Sequence, residues 1–480
     1  MTSDHKVFKT SPMIKYISTR GGGEPKSFEE VLLAGLAPDG GLYVPDHWPR
    51  LDLESLKGKS YIETAEAVMY PFVEGCIPRE EFRTMLARVY GPENFRSEHV
   101  VPLHHLVDYE QDKIYVMEQF HGPTIAFKDV ALQLLGQLFD YVLTKNNEHI
   151  TIVGATSGDT GSAAIEGCYK SKHIDIFILH PKGRVSDVQR KQMTTILADN
   201  VHNIALEGTF DDCQNMVKAM FADEDFRTSV NLSAVNSINW ARIMAQIVYY
   251  VYCGLQLDAE NKPVSFVVPT GNFGNVFAAF CARQMGLPIE FLGISTNKND
   301  ILTRFFETGE MKISQAYATL SPSMDIQISS NFERYLYFLL DQDSAKLAEL
   351  MTTFKETGSM ALDDDKMTAA RAEFMASRAN DELTLTLIKE CYEIADYILD
   401  PHSAVGLAGA KDLVDQTEGA VVLLATAHPA KFPDAVEKAI GIRPELPEHL
   451  SDLFDREERM EELPDDLALV QAFVKDHISG

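Results

Sequence analysis

Residues Ile150–Ala164 read ITIVGATSGDTGSAA: four β-branched residues, then a turn rich in glycine and hydroxyls, then small residues that favour a helix. A strand that turns straight into a helix leaves the first backbone N–H groups of that helix unpaired and facing an incoming anion. The plan recurs in VVPTGNFGNVFAA, Val267–Ala279, where the glycine loop follows the valine-rich run Val264–Val268. A third stretch, HGPTIAFKDV at His121–Val130, carries Lys128. Gly122 and Pro123 upstream, Phe127 directly before and an apolar helix directly after place that amine at a buried loop-to-helix corner. Desolvation there disfavours the ammonium form, so the lysine can serve as nucleophile and base. An amine with two anion cradles suits a phosphorylated carbonyl compound held by imine chemistry, and pyridoxal phosphate is the obvious candidate.

Outward from these loops the chain alternates strands and helices. Strand signals lie at 114–117, 150–153, 174–179 and 201–206, and helix signals after Lys128 and at 162–170, 187–198 and 212–222, with Ser186 placed as an N-cap. A second series starts with a long apolar helix at 238–255 and continues with strands at 264–268, 290–294 and 420–425. Such alternation predicts an α/β fold with parallel sheets covered by helices on both faces. The expected division is an N-terminal module over 1–100, an α/β domain over 101–235 carrying Lys128 and TSGDTG, and a larger α/β domain over 236–480. Within the last, 307–400 reads as a helical insertion. The acidic end, typified by DREERMEELPDD at Asp455–Asp466, reads as a solvated tail with one face on the body.

Composition narrows the function. A chain of 480 residues with 45% hydrophobic content can bury a sizeable core, and a formal net charge of −28 argues against a general binder of nucleic acid or anionic membrane. An anionic ligand must then be met by local positive groups. The six cysteines, at 76, 168, 213, 253, 281 and 391, form no CxxC pair and read as reduced cytoplasmic thiols, with no metal site expected. No uncharged apolar run reaches the roughly 18 residues of a membrane span. The opening MTSDHKVFKTS lacks an apolar signal core.

Several long motifs stand in one order: YISTRG, LAPDGGLYVP, HGPTIAFKD, GATSGDTGSAA, NSINWARI, PTGNFGN and LATAHPAKF. In these the chain resembles the threonine synthases, fold-type-II pyridoxal-phosphate enzymes related to tryptophan synthase β, and in particular their longer form. The resemblance implies that Lys128 attaches the cofactor with Phe127 beside it, and that Gly271, Asn272, Phe273, Gly274 and Asn275 bind the cofactor phosphate. It places Thr426 opposite the pyridine nitrogen and Asp159 near the cofactor's 3′ oxygen, where many relatives of the fold have asparagine. The implied substrate is O-phospho-L-homoserine, with Thr156, Ser157, Thr160, Asn236, Ser237 and Arg242 at its phosphate. Bulk water must be kept out until phosphate has left, so closure of the lysine domain against the TGNFGN domain is expected. Read without the resemblance, each loop is first of all a tight turn before a helix, capped in TSGDTG by Thr156 or Ser157, and Arg242 is equally a surface residue. A threonine or serine dehydratase, or a non-catalytic binding protein of the same fold, remains a competing reading. The protein is expected to be a monomer or homodimer acting on a small molecule, with no nucleic-acid or membrane partner.

Overall fold

The computed structural model describes residues 12–479, so the N-terminal segment judged to lack a signal core lies outside the described residues. Two sheets organise the chain. The larger has six strands in the order Phe374–Arg378, Leu292–Thr296, Val264–Pro269, Ala420–Ala425, Ile114–Glu118 and Leu103–His105. All neighbours are parallel except the last pair. The smaller runs Glu461–Pro464, Val201–Glu207, Ile174–Pro181, Ile150–Ala155 and Leu232–Ser233, all parallel.

Continuous apolar strands are what a sheet buried on both faces requires, and the alternation of side chains shows both faces in use. In Ala420–Ala425, Val421 and Leu423 join one apolar cluster with the helix Pro401–Val414, while Val422 and Leu424 join another with the helix Gly274–Gln284. In Ile174–Pro181 every residue is buried. Ile176 and Ile178 face the main core, and Phe177 and Leu179 face a separate cluster containing Val470 and Val474. The helix Trp240–Gln256 is buried over nearly its whole length and packs on the helices Tyr61–Val73, Lys128–Asn146 and Gly274–Gln284.

The sheets cut across the expected domain boundaries. Strands at 103–105 and 114–118 belong to the larger sheet although they precede Lys128. The acidic C-terminal stretch supplies Glu461–Pro464 as an edge strand of the smaller one, followed by the helix Leu467–His477. The 307–400 region is helical for the most part, yet it contributes Phe374–Arg378 to the larger sheet and so is not wholly an insertion. The N-terminal module holds an antiparallel pair, Tyr16–Ser18 against Tyr43–Pro45, with the helix Phe28–Ala34 between them. It is tied to the body through Arg20 and Thr19, which both reach the Glu333 carboxylate at 2.7 Å.

One close crossing fixes the lysine helix, Lys128–Asn146, against the helix Asp159–Cys168. A Cβ on Gly136 would lie 1.9 Å from Gly167 O, and one on Gly167 would lie 2.4 Å from Leu132 O, so the two backbones touch where any side chain would separate them.

Candidate active site

Lys128 opens its helix at the end of a braced turn. The Asp129 carboxylate accepts Thr124 N at 2.8 Å and Thr124 Oγ1 at 2.7 Å, closing HGPT onto the first helical turn. Phe127 N donates to Thr426 O at 2.8 Å, so the lysine is anchored to the strand end Ala420–Ala425. The Lys128 side chain is 11% exposed, and its Nζ lies 4.7 Å from the centre of the Phe127 ring. Burial lowers its pKa, with Lys431 and Arg242 adding repulsion that Asp159 partly offsets.

Asp159, first residue of its helix, faces Lys128 across 3.4 Å. Its Oδ1 accepts Gln189 Nε2 at 2.8 Å and pairs with Lys431 Nζ at 3.3 Å, and its Oδ2 accepts Ser323 Oγ at 2.7 Å. Burial by itself would raise this carboxyl; Lys431, Lys128 and His402 outweigh it and hold it well below the usual carboxylate range. Ser186 is the N-cap expected from sequence. Its partner in the capping box, Gln189, is the residue that turns to hold Asp159.

The TGNFGN loop ends on an uncapped helix. Phe273 is the N-cap at φ 62°, makes no side-chain cap, and sends its ring into a cluster with Phe332 and Phe374. The first intrahelical bond runs from Phe277 N to Phe273 O, which leaves the N–H groups of Gly274, Asn275 and Val276 unspent. The Asn275 side chain is engaged elsewhere, its Oδ1 accepting Tyr249 OH at 2.6 Å and Tyr250 OH at 2.7 Å and its Nδ2 donating to Gln119 Oε1 at 3.4 Å, which leaves the backbone N–H for an anion. Gly271 O accepts Ser329 Oγ at 2.7 Å, and the exposed Asn272 has its carbonyl fixed by Asn331 N at 3.0 Å. A tightly braced loop with free N–H donors at a helix N-terminus fits a dianionic phosphate. Thr426 offers the opposite end of such a ligand a polar group: its N–H is taken by Ser403 Oγ at 3.1 Å, while its hydroxyl is engaged by none of the described residues.

The residues expected at the substrate phosphate divide into two groups. Thr156 Oγ1 accepts the N–H groups of Gly158 and Gly161, both at 2.9 Å, so its oxygen shapes the turn. Ser157 and Thr160 are partly exposed, with hydroxyls free of partners among the described residues. Ser237 Oγ lies 3.1 Å from Ser330 Oγ, and Asn236 is exposed at the end of the loop before the buried helix. A cavity of about 570 Å³ opens against Thr156, Thr160 and Asn236; neither Lys128 nor Arg242 lines it. Arg242, in the first turn of Trp240–Gln256, is 4% exposed rather than on the surface, and its Nε and Nη1 have no partner among the described residues. Burial brings its pKa down to about 10.

The chain is similar to known proteins over nearly its whole length. The family model "Pyridoxal-phosphate dependent enzyme" matches residues 95–427. "Threonine synthase N terminus" matches 15–90, and "Threonine synthase, C-terminal" matches 403–474. A threonine synthase of Pseudomonas aeruginosa is 53% identical over 468 residues, 97% of this chain and 98% of that one. The chain belongs to the threonine synthase family. Among solved structures, the PLP-bound threonine synthase of Brucella melitensis superposes with a TM-score of 0.93 at 48% identity, covering 97% of this chain and 100% of that one. The yeast threonine synthase gives 0.92 at 40% identity, covering 98% and 99%. The fold is fold type II and the cofactor is pyridoxal phosphate. Among the described residues no helix is long and apolar enough to cross a membrane.

Sequence reasoning left several residues of this site unassigned. Lys431 stands inside the quoted motif LATAHPAKF, and Gln189 inside a recognisable capping box, so each had a local signal for structure but none for its target. Ser323, His402 and Asn331 had no signal, because each comes from a distant loop or helix and meets the site only in three dimensions.

Proposed function

We propose that the protein acts on O-phospho-L-homoserine and water, releasing phosphate and L-threonine, with Arg242 as the cation that receives the substrate's phosphate. The observation that carries this reading is a guanidinium buried to 4% exposure, with two nitrogens unpartnered among the described residues, near enough to Lys128 to repel its charge. A buried cation with no counter-ion is costly unless an anion joins it, and the planar fork of arginine matches a phosphate. A dehydratase acting on threonine needs no such group.

The chemistry supplied by bound pyridoxal phosphate is an electron sink for the pair left at carbon when a proton departs. The chain's own residues do the rest. The N–H groups of Gly274, Asn275 and Val276, without partners among the described residues, would hold the cofactor phosphate, and the Thr426 hydroxyl would offer the ring nitrogen a neutral partner. Lys128, brought toward its neutral amine by burial, takes the proton at the α carbon and then moves a proton at the β carbon. Phosphate leaves from the γ carbon toward Arg242, and water adds at the β carbon. Ser157, Thr160 and the N-terminus of the helix Asp159–Cys168 offer donors to the substrate's anionic groups, while Thr156 keeps that turn in shape. Asn236 and Ser237 stand in the loop that leads into the helix carrying Arg242. The six cysteines are all buried and unpaired, which supports a reducing, cytoplasmic setting.

Phosphate release from O-phospho-L-homoserine, measured beside ammonia release from threonine, tests the assignment. Phosphate release should dominate, and Arg242→Ala should raise KM about 30-fold or more with cofactor still bound, the cost of truncating one partner of a desolvated charge pair. Unchanged kinetics in that variant would remove Arg242 from the substrate site.

A further inference from the structure

Asp159 sits between two lysines whose situations differ. Lys128 Nζ is 3.4 Å from Oδ2 and belongs to a side chain that must react; Lys431 Nζ is 3.3 Å from Oδ1 and belongs to a side chain with no exposure at all. Lys431 ends the short turn Pro429–Lys431 beyond the strand Ala420–Ala425. Its ammonium also donates to Thr124 O at 2.7 Å, in the turn that leads into Lys128, and the same carbonyl accepts Gln192 Nε2 at 3.1 Å. One buried ammonium therefore ties together the larger sheet, the turn before Lys128 and the first residue of the TSGDTG helix. It cannot swing away without abandoning both partners.

The charge on Lys128 is not constant, because a lysine acting as nucleophile and base passes through neutral forms. The other donors to Asp159, Gln189 Nε2 and Ser323 Oγ, are neutral. We propose that Lys431 is the permanent counter-ion of Asp159, a positioning residue that keeps a fixed negative charge beside Lys128 throughout the reaction. A buried carboxylate with only neutral partners takes up a proton, and protonated Asp159 would have to donate where it now accepts from Gln189 or Ser323. The charged and titratable groups around the pair come from every packed element. His402, whose Nε2 accepts Ser323 N at 3.2 Å and whose Nδ1 meets Asp400 Oδ2 at 2.7 Å, faces Asp159 from the helix Pro401–Val414. Asp129 acts on Lys431 from the lysine helix, and Arg242 acts on Lys128. Burial pushes the Asp129 carboxyl up to about 6, and its two oxygens accept Thr124 N and Thr124 Oγ1, whereas the ion pair of Lys431 Nζ among the described residues is with Asp159.

The inference rests on the cofactor being held at Lys128, and its test reads something other than turnover. Protein loaded with pyridoxal phosphate is titrated from pH 5 to pH 9 while the visible absorbance of the bound cofactor is recorded. Lys431→Met should shift the pH midpoint of that band by ~1–3 units relative to the unaltered protein, the range an adjacent opposite charge contributes. Lys431→Arg should return the profile, and Lys431→Met combined with Asp159→Asn should behave as Asp159→Asn alone. An unshifted profile in Lys431→Met, or an arginine variant that behaves like the methionine one, overturns the proposal. If Lys431→Met does not fold, thermal unfolding of the double variant decides. Recovery of the transition shows that the uncompensated carboxylate was the fault, whereas no recovery assigns Lys431 to Thr124 instead. Absence of a visible band from the unaltered protein would count against attachment at Lys128, a separate failure from either of these.

Discussion

At the scale of single residues, this site depends on a few groups held in costly states. Gly158 adopts φ 131°, and a Cβ there would lie 2.3 Å from Gln189 Cδ, the residue that orients Asp159. Gly158→Ala should therefore destabilise the fold by ~1–3 kcal/mol through backbone strain. It should also loosen Asp159, seen as weaker cofactor binding in a fluorescence titration; unaltered binding would show that Gln189 is not needed to hold the carboxylate. Lys128→Ala should abolish the lysine-linked visible band while leaving thermal unfolding of the cofactor-free protein nearly unchanged. These residues illustrate the limits of one-dimensional reading. Lys128 was legible because its motif is continuous in sequence. The turn of the Asn275 side chain toward Tyr249 and Tyr250 was not, because those partners lie on another helix.

At the scale of elements, the placement of Lys128 follows from two contacts of its helix. One is the crossing at Gly136 and Gly167. Gly167→Val should force the helices apart and cost ~1–3 kcal/mol in urea unfolding, as overpacking does; a loss much smaller than this would mean that the crossing relaxes freely. The other is the bond from Phe127 N to Thr426 O, which joins the helix to the larger sheet. The C-terminal helix Leu467–His477 shows a different dependence. His202 on the smaller sheet stacks on Phe177 at 4.5 Å, and its ring lies 5.3 Å from that of His477. Burial first, then repulsion from His477 and Arg459, lowers the His202 pKa to about 4. The unfolded chain then binds more protons than the native one between about pH 4 and 6.5, so stability rises with pH across that window and is lost as pH falls through it. His202→Phe should flatten this slope in urea titrations made at a series of pH values, and an unchanged slope would place the acid sensitivity elsewhere.

At the scale of the whole molecule, the two sheets are laced together by segments far apart in sequence. The acidic C-terminal stretch illustrates this: Glu458 receives Thr194 Oγ1 at 2.7 Å and Lys191 Nζ at 3.1 Å and pairs with Arg190, all on the helix that carries Gln189. Val470 and Val474 complete the outer core of the smaller sheet. Truncation after residue 445 keeps every residue assigned to the cofactor and substrate, yet it should expose that core and lower the midpoint of thermal unfolding by several degrees, with loss of cofactor binding. Retention of both would show that the tail is the solvated appendage its charge suggests. From sequence alone, strand and helix periodicity determined the α/β class, and contiguous motifs determined the lysine, the two glycine loops and the family they resemble, because hydrophobic pattern and local turn chemistry are written in neighbouring residues. Only the tertiary structure decided which strands share a sheet, that Arg242 is buried with its Nε and Nη1 unpartnered among the described residues, and that Lys431 Nζ lies 3.3 Å from the Asp159 carboxylate. Burial and charge pairing depend on contacts between residues hundreds of positions apart.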